Sequence, residues 1–267
     1  MTNLPTTRSE YRHYPLGCLP PRAQPQNHFP HLDELIQLAD ERAWRATNNA
    51  HLLWDLMDQD GHGACNGCAA TLALEGNREQ QHCPRVQLSW GHLYGLINGQ
   101  RDEGSILEDA HIALEQHGVC DQATVCADCW QVDRWPANWP DNAATHRMLE
   151  TWRLPTFAHL ATAALHGWFF DFGIPIGPTF NPDCDGVLPP WRGPIRGYHA
   201  LCGRGLSNIA GVWHIGAKNS WGPWGCDNSG LCWIPRSYFF EDVADAFAPR
   251  VTTYSRRKET DGPDKAP

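Results

Sequence analysis

The sequence lacks any long apolar run and any concentration of positive charge. None of its apolar stretches approaches the roughly 18 residues that a helix needs to cross a bilayer. It has 21 Lys and Arg against 30 Asp and Glu, and its one basic cluster is Arg256-Arg257-Lys258. With a net charge of −9, we expect no membrane span and no binding of nucleic acid or anionic membranes.

The N-terminus lacks the basic segment followed by an apolar segment that marks a secretory signal. We therefore expect no export by the standard route, and the cytoplasm is the favoured compartment. The eleven cysteines point the other way, because disulfide-rich chains belong to oxidising compartments. An odd number leaves at least one thiol free even if all the others pair. The compartment, the pairing and the oligomeric state are left open.

The order of the patterns along the chain predicts the fold class. The 267 residues are 42% hydrophobic and can bury a substantial core. Helical patterns come first and strand patterns second, which predicts an α+β protein with two lobes and a cleft between them. We divide the chain into a Pro-rich arm and helix (1–50), a helical lobe (51–150), a β-rich lobe (151–250) and a disordered tail (251–267).

Hydrophobic periodicity predicts the individual elements. The expected helices cover 31–47, 65–75, 87–97, 104–117 and 155–166. The expected strands cover 168–174, 199–202, 212–218 and 231–234, and the segment 126–145 is expected to be loop. Ser105 followed by Glu108 fits a capping box at the start of the fourth helix.

Three separated segments contain the side chains that a cysteine nucleophile needs. A thiol needs a base, the base needs an orienting group, and the oxyanion needs donors. Cys65 lies where small residues give way to a helical pattern, and a helix N-terminus raises the thiolate fraction. His199 is the candidate base, and Asn219 can fix the tautomer of its ring. Gln59, six residues before Cys65, can direct an amide N–H at the oxyanion.

These residues resemble the papain-like cysteine peptidases. That family carries Gln-x-x-x-Gly-x-Cys around its nucleophile, which Gln59, Gly63 and Cys65 match. The run Asn219–Gly222 is similar to the family's stretch around the orienting Asn, and His199 lies in a segment similar to its catalytic His region. The agreement in residue type, order and spacing is what makes the resemblance specific.

The resemblance covers about residues 55–240 and implies both a fold and an activity. It implies a helical lobe and a β-rich, barrel-like lobe with the active site in the cleft between them. It implies a cysteine peptidase that hydrolyses peptide or isopeptide bonds through a thioester, with a peptide or protein as partner and no cofactor or metal. It also implies that Gly104 and Ser105 line the substrate cleft, and that Trp221 shields the His–Asn pair from water.

The segment before the nucleophile differs from typical secreted members of this family. The 64 residues that precede Cys65 are too few for a typical inhibitory propeptide plus a mature N-terminus. The pattern is therefore closer to bacterial or phage-borne members. Residues 1–50 are either a shortened cover over the cleft or simply a packed arm.

The nucleophile assignment has one competitor. Family members often carry Cys-Gly-Ser-Cys, in which the second cysteine is the nucleophile and the first forms a disulfide. The segment 65–68 has a similar outline, but Cys68 lies nine residues after Gln59, so the spacing favours Cys65. His62 stands where the disulfide cysteine would be, and Asn66 replaces the usual Trp.

Other interpretations remain beside this one. A thioester enzyme of this fold can act on non-protein amides such as cell-wall peptides, as an amidase or transpeptidase. A non-enzymatic structural or binding protein on the same scaffold is a third hypothesis. Cysteine pairs at 65/68 and 126/129 raise a zinc interpretation. The segment 183–186 faintly resembles a calcium loop, although most of the ligand series is missing.

Overall fold

The structure is a computed structural model that describes residues 16–23, 29–54, 56–239 and 245–251. The first 15 residues and the tail predicted to be disordered, apart from Val251, lie outside the described residues. No helix in these described ranges combines the length and the apolar character that a membrane crossing requires.

Five α-helices occur among the described residues. They are α1 (Cys65–Gln80), α2 (Trp90–Ile97), α3 (Leu107–Gln116), α4 (Trp139–Ala144) and α5 (Phe157–Leu165). The central helix is α1, which is buried from its first residue to Asn77. Small residues allow this burial: a Cβ on Gly76 would lie 2.5 Å from the ring of Phe169. The helix that carries the candidate nucleophile is therefore held by packing on all sides.

Nine strands form one sheet in the described part of the chain. They are β1 (Cys18–Leu19), β2 (Thr47–Asn48), β3 (Ser105–Ile106), β4 (Glu150–Arg153), β5 (Phe170–Ile176), β6 (Gly197–Ile209), β7 (Val212–Lys218), β8 (Leu231–Pro235) and β9 (Ala246–Arg250). The main path runs β3-β1-β6-β5-β9-β4, while β7 pairs with β6 and β8, and β2 pairs with β6. The long strand β6 is the hub of the sheet.

A tight hairpin between β6 and β7 brings the predicted base and its orienting residue together. Ala210 and Gly211 both have positive φ, at 51° and 83°, as a two-residue hairpin turn requires. Cys202 then pairs with Lys218, in the register set by this turn and a bulge between Gly203 and Gly205. His199 lies in β6 three residues before Cys202, and Asn219 directly follows β7.

The hydrophobic core has two large parts. One surrounds α5 and the strands β5 to β9. The other surrounds α1, α2 and α3 and includes Cys65 as well as Cys18 from β1 and Ala200 from β6. Between helix and sheet, His111 of α3 and Asp171 of β5 form a fully buried pair with Nε2 and Oδ1 2.9 Å apart. Of strand β1, only the side chain of Cys18 belongs to this core.

The structure confirms the α+β class and four of the predicted helices, which appear as α1, α2, α3 and α5. The predicted strands appear as β5 to β8, although β6 is much longer than expected. The sequence patterns missed the short strands β1 to β3 and the strands β4 and β9. All five pair only with residues distant in sequence, so no local pattern marks them.

The predicted helix over 31–47 is wrong. The segment forms two 3-10 helices, Leu32–Glu34 and Glu41–Ala43, and ends in β2. The segment packs against α5 without forming an α-helix. The backbone N–H of Ala39 donates to Thr162 Oγ1 of α5 at 3.0 Å. Tertiary contacts with α5 and β6 thus override the helical periodicity.

Two smaller expectations are also corrected. The capping box is wrong, because Ser105 lies in β3 and Ile106 is the N-cap of α3 without a side-chain cap. Glu108 instead accepts from Arg153 at 2.9 Å. The segment 126–145 is not all loop, since it contains α4 and a short 3-10 helix.

Candidate active site

Cys65 is the first residue of α1, at the position where the sequence patterns placed it. The chain enters the helix through a tight turn in which Asp60 and Gly61 have φ of 50° and 77°. At a helix N-terminus the backbone N–H groups are unpaired by the helix itself, and the macrodipole favours a negative charge there. The side chain is nevertheless fully buried.

Burial governs the charge state of the Cys65 thiol. It raises the pKa of Cys65 to about 11, and the backbone groups of Ala200 and Gly17 oppose this effect. Ala200, the residue after His199, packs in the same buried cluster as Cys65. Gly17 belongs to the N-terminal arm. In this conformation the thiol is protonated at neutral pH.

His199 and Asn219 are in contact, and both are fully buried. His199 Nε2 lies 2.8 Å from Asn219 Oδ1, which also accepts from the Ser220 N–H at 2.7 Å. An amide oxygen is an acceptor, so this contact assigns the imidazole proton to Nε2 and the lone pair to Nδ1. Burial lowers the pKa of His199 to about 4 against the opposing effect of the Asn219 hydrogen bond.

Gln59 connects the segment before the nucleophile to the segment that carries Asn219. Its backbone N–H donates to the carbonyl of Ser220 at 2.8 Å. Its side-chain Oε1 accepts from Ser220 Oγ at 2.8 Å, and its Nε2 donates to the carbonyl of His62. The amide group is therefore held beside the turn that leads into Cys65.

Aromatic rings cover the His–Asn pair. The ring of Trp221 lies 4.6 Å from that of His199, tilted by 32°, and Trp221 is only 9% exposed. Phe180 lies 5.7 Å from Trp221 and stacks on Trp224 at 5.4 Å. The sequence reasoning did not identify Phe180, because it lies in a loop with no motif around it.

The two residues expected to line the substrate cleft, Gly104 and Ser105, are in contact with the N-terminal arm. We call residues 16–19 the cleft strand. It includes β1, which runs parallel to β3 and antiparallel to β6. The N–H of Ser105 donates to the carbonyl of Gly17 at 2.9 Å, and a Cβ on Gly104 would lie 2.4 Å from that same oxygen. Gly104 and Ser105 therefore contact the cleft strand directly.

Gly17 is the residue of the cleft strand that comes closest to the turn before Cys65. A Cβ there would lie 1.8 Å from the carbonyl oxygen of Gly63, two residues before Cys65. The backbone of the arm thus passes over the turn of the nucleophile at a distance that only glycine permits. Residues 16–19 thus pack against the turn that precedes Cys65 and against Gly104 and Ser105.

Asp102 contributes a contact that the sequence reasoning missed. Its Oδ2 lies 2.6 Å from His62 Nδ1, and its Oδ1 accepts from the Gly63 N–H and the Tyr94 hydroxyl, both at 2.8 Å. Burial raises the pKa of Asp102, but these hydrogen bonds outweigh it and hold the pKa below its usual value. The only signal for this contact was His62 itself, at the position of a family disulfide cysteine.

The competing sites look different. Cys68 lies one turn inside α1, fully buried in an apolar cluster. Cys126 and Cys129 form a disulfide, so they do not offer the thiolate pair that zinc binds. Asp183 Oδ1 accepts from two backbone N–H groups of its own loop, Asp185 and Val187, as in an ordinary turn.

Comparisons with known proteins place the fold. No family model matches the chain, and no curated protein does. Among solved structures, it is similar to xylellain, a cysteine protease from Xylella fastidiosa, with a TM-score of 0.71 and 20% identity over 89% of this chain and 96% of that one.

Two further solved structures agree. The digestive procathepsin L2 proteinase from the Tenebrio molitor larval midgut aligns with a TM-score of 0.70 and 19% identity, over 92% of this chain and 81% of that one. Procathepsin B from Trypanosoma congolense aligns with 0.64 and 13%, over 87% of each chain. The chain therefore has the papain-like cysteine protease fold.

Proposed function

We propose that this protein is a cysteine peptidase that hydrolyses peptide or isopeptide bonds through a thioester intermediate. The observation that carries the proposal is the 2.8 Å hydrogen bond between His199 Nε2 and Asn219 Oδ1. Ala200, the residue after His199, belongs to the same buried cluster as Cys65. These contacts support Cys65 as nucleophile, His199 as base and Asn219 as orienting group.

The reaction begins when His199 Nδ1 takes the proton of the Cys65 thiol. The thiolate then attacks the carbonyl carbon of the substrate, and the N–H groups of Gln59 Nε2 and Cys65 stabilise the oxyanion. The intermediate collapses to a thioester as the imidazolium protonates the leaving amine. Water, activated by His199, hydrolyses the thioester and restores the thiol. Asn219 orients the ring throughout.

The cleft strand has to move before a substrate can bind. Its backbone accepts a hydrogen bond from Ser105 and lies against the backbone of Gly63, two residues before Cys65, so a substrate cannot occupy the same space. An extended peptide can take its place, because β3 and β6 then present unpaired backbone groups to a new strand. The enzyme is therefore latent in the conformation described.

The test is cleavage of a mixed panel of peptides and cell-wall fragments by the full-length protein under reducing conditions, at several pH values. We expect peptide cleavage that Cys65→Ala abolishes. Cys68→Ala is the matched control, because Cys68 lies one turn further along α1 and in a different buried cluster from Cys65. Cleavage confined to cell-wall fragments indicates the amidase alternative. Activity that survives Cys65→Ala would contradict the proposal.

A further inference from the structure

Two cysteines that the proposed reaction does not use lie close together at the surface. The sulfurs of Cys184 and Cys226 are 3.2 Å apart, although 42 residues separate them in sequence. Both residues are exposed. Cys184 lies in the loop between β5 and β6, and Cys226 lies in the loop between β7 and β8. The tertiary structure, and no sequence motif, brings these thiols together.

The second of these loops also carries the partner of the candidate base. It starts at Asn219, whose N–H donates to the carbonyl of Gly230 at 2.8 Å. The N–H of Gly230 in turn donates to the carbonyl of Trp224 at 3.1 Å. Cys226 lies within this folded loop, so a bond at Cys226 constrains the segment that holds Asn219.

The surroundings favour a disulfide over a metal site. Asp183 caps its own turn, and Asp227 Oδ1 accepts from the N–H and Oγ of Ser229 at 3.0 and 2.8 Å. Within the described ranges, no His, Asp, Glu or further Cys joins the two sulfurs in a group with mutual distances of 4.8 Å or less. Two thiols without a third ligand lack the donor set of a structural zinc site.

We propose that Cys184 and Cys226 form a reversible disulfide that fixes the loop carrying Asn219. Bond formation requires the sulfurs to approach from 3.2 Å to about 2.05 Å, a shift that exposed loops accommodate. Neither thiol is buried, so both are accessible to small oxidants and reductants. The disulfide itself does not depend on the proposed peptidase activity, whereas its effect on catalysis does.

The step is balanced with a low-molecular-weight disulfide such as oxidised glutathione. One cysteine thiolate attacks a glutathione sulfur, forms a mixed disulfide and releases one glutathione thiolate. The second cysteine thiolate attacks its partner's sulfur in the mixed disulfide and releases the other glutathione. Two protein thiols are oxidised and one glutathione disulfide is reduced, and the two thiol protons end on the glutathione released.

The test is peptide mapping of the full-length protein by mass spectrometry, without reduction, after equilibration in oxidised or reduced glutathione. We expect a cross-linked peptide pair that contains Cys184 and Cys226 in the oxidised sample and two alkylated thiols in the reduced one. Both residues recovered as free thiols or as separate glutathione adducts after oxidation would overturn the proposal. So would protection of both thiols by zinc alone in the reduced protein.

Thermal unfolding gives a second readout. A cross-link between residues 42 apart should raise the melting temperature by roughly 5–10 °C on oxidation. Cys184→Ser and Cys226→Ser should each lose that shift, whereas Cys83→Ser, a half-buried cysteine elsewhere, should keep it. The comparison among variants removes the contribution of the Cys126–Cys129 disulfide. An equal shift in all four proteins would contradict the assignment, and neither readout requires peptidase activity.

Discussion

Asp102 binds both His62 Nδ1, at 2.6 Å, and the backbone N–H of Gly63, at 2.8 Å, so one carboxylate holds the turn that leads into Cys65. The family that the sequence resembles often has a disulfide cysteine at the position of His62. Here a noncovalent pair occupies that position, with side chains 30% and 31% exposed. Hydrogen bonds from Asp102 thus connect the turn before Cys65 to the segment that contains Gly104 and Ser105.

Replacing Asp102 should therefore affect catalysis more than stability. Asp102→Asn keeps the size of the side chain but removes the charge that pairs with His62. Because the pair is partly exposed, we expect a loss of only about 0.5–1 kcal/mol in unfolding free energy. The turn before Cys65 loosens, which should lower kcat by roughly tenfold. Glu103→Gln, an exposed neighbour, is the control, and equal kinetics for the two variants would contradict this role.

Gly17 tests whether the cleft strand blocks the nucleophile. In Gly17→Val the new Cβ meets the backbone of Gly63, which cannot move aside, so the strand should leave the cleft. We expect alkylation of Cys65 by iodoacetamide to become at least about tenfold faster, because burial no longer suppresses the thiolate. Leu19→Ala changes an exposed residue of the same strand and serves as the control. Unchanged protection of Cys65 in Gly17→Val would contradict the blocking role.

Acid should favour release of the cleft strand. Burial lowers the pKa of His199 from 6.5 to about 4, and hydration on release restores the higher value. In Cys65→Ala, where no thiolate can pair with the imidazolium, the released state binds a proton between these pH values that the covered state does not, so covering weakens as the pH falls from 6.5 towards 4. The full effect is on the order of 3 kcal/mol.

The measurement is hydrogen exchange of the Ser105 amide, which donates to the carbonyl of Gly17. Its protection in Cys65→Ala, taken relative to Cys65→Ala with Gly17→Val at each pH, should fall as the pH decreases through this window. The reference variant cancels the intrinsic pH dependence of exchange. If the ratio of the two exchange rates stays constant between pH 7 and 4, the protonation of His199 does not control release of the cleft strand.

Asn219 should act on rate rather than on substrate affinity. Asn219→Ala removes the acceptor that holds His199 Nε2, so the ring loses its tautomer preference and its aim. We expect kcat to fall by about 10²-fold with little change in KM, and the pH profile to shift, because a positioning residue acts through the imidazole. Asn208→Ala, an exposed asparagine of β6, is the control. A change confined to KM would contradict the positioning role.

The sequence allowed the prediction of the local parts of the site. Small residues before an apolar helix placed Cys65 at the start of α1, and apolar patterns predicted short strands at His199 and just before Asn219. Each of these signals lies within a few residues of the element that it predicts. The length of β6 and its hairpin with β7 were not predicted.

The remaining parts depend on contacts between distant residues. His62 and Asp102 are 40 residues apart, and Gly17 meets Ser105 across 88 residues, with no periodicity to announce either pairing. The segment 31–47 shows the opposite failure, in which a helical pattern is present but contacts with α5 prevail. Local sequence patterns do not reveal which distant residues will pair.

The most direct test of the central claim is alkylation of Cys65 with iodoacetamide at pH 5.5, followed by peptide mapping. The protein is full length and carries Gly17→Val, and it is compared with the same protein carrying His199→Ala as well. An imidazolium beside the sulfur keeps a thiolate at this pH, so we expect rapid label on Cys65 in the first protein and about tenfold or more slower labelling in the second. Label on Cys68 in place of Cys65, or equal labelling of Cys65 in both proteins, would contradict the assignment of nucleophile and base.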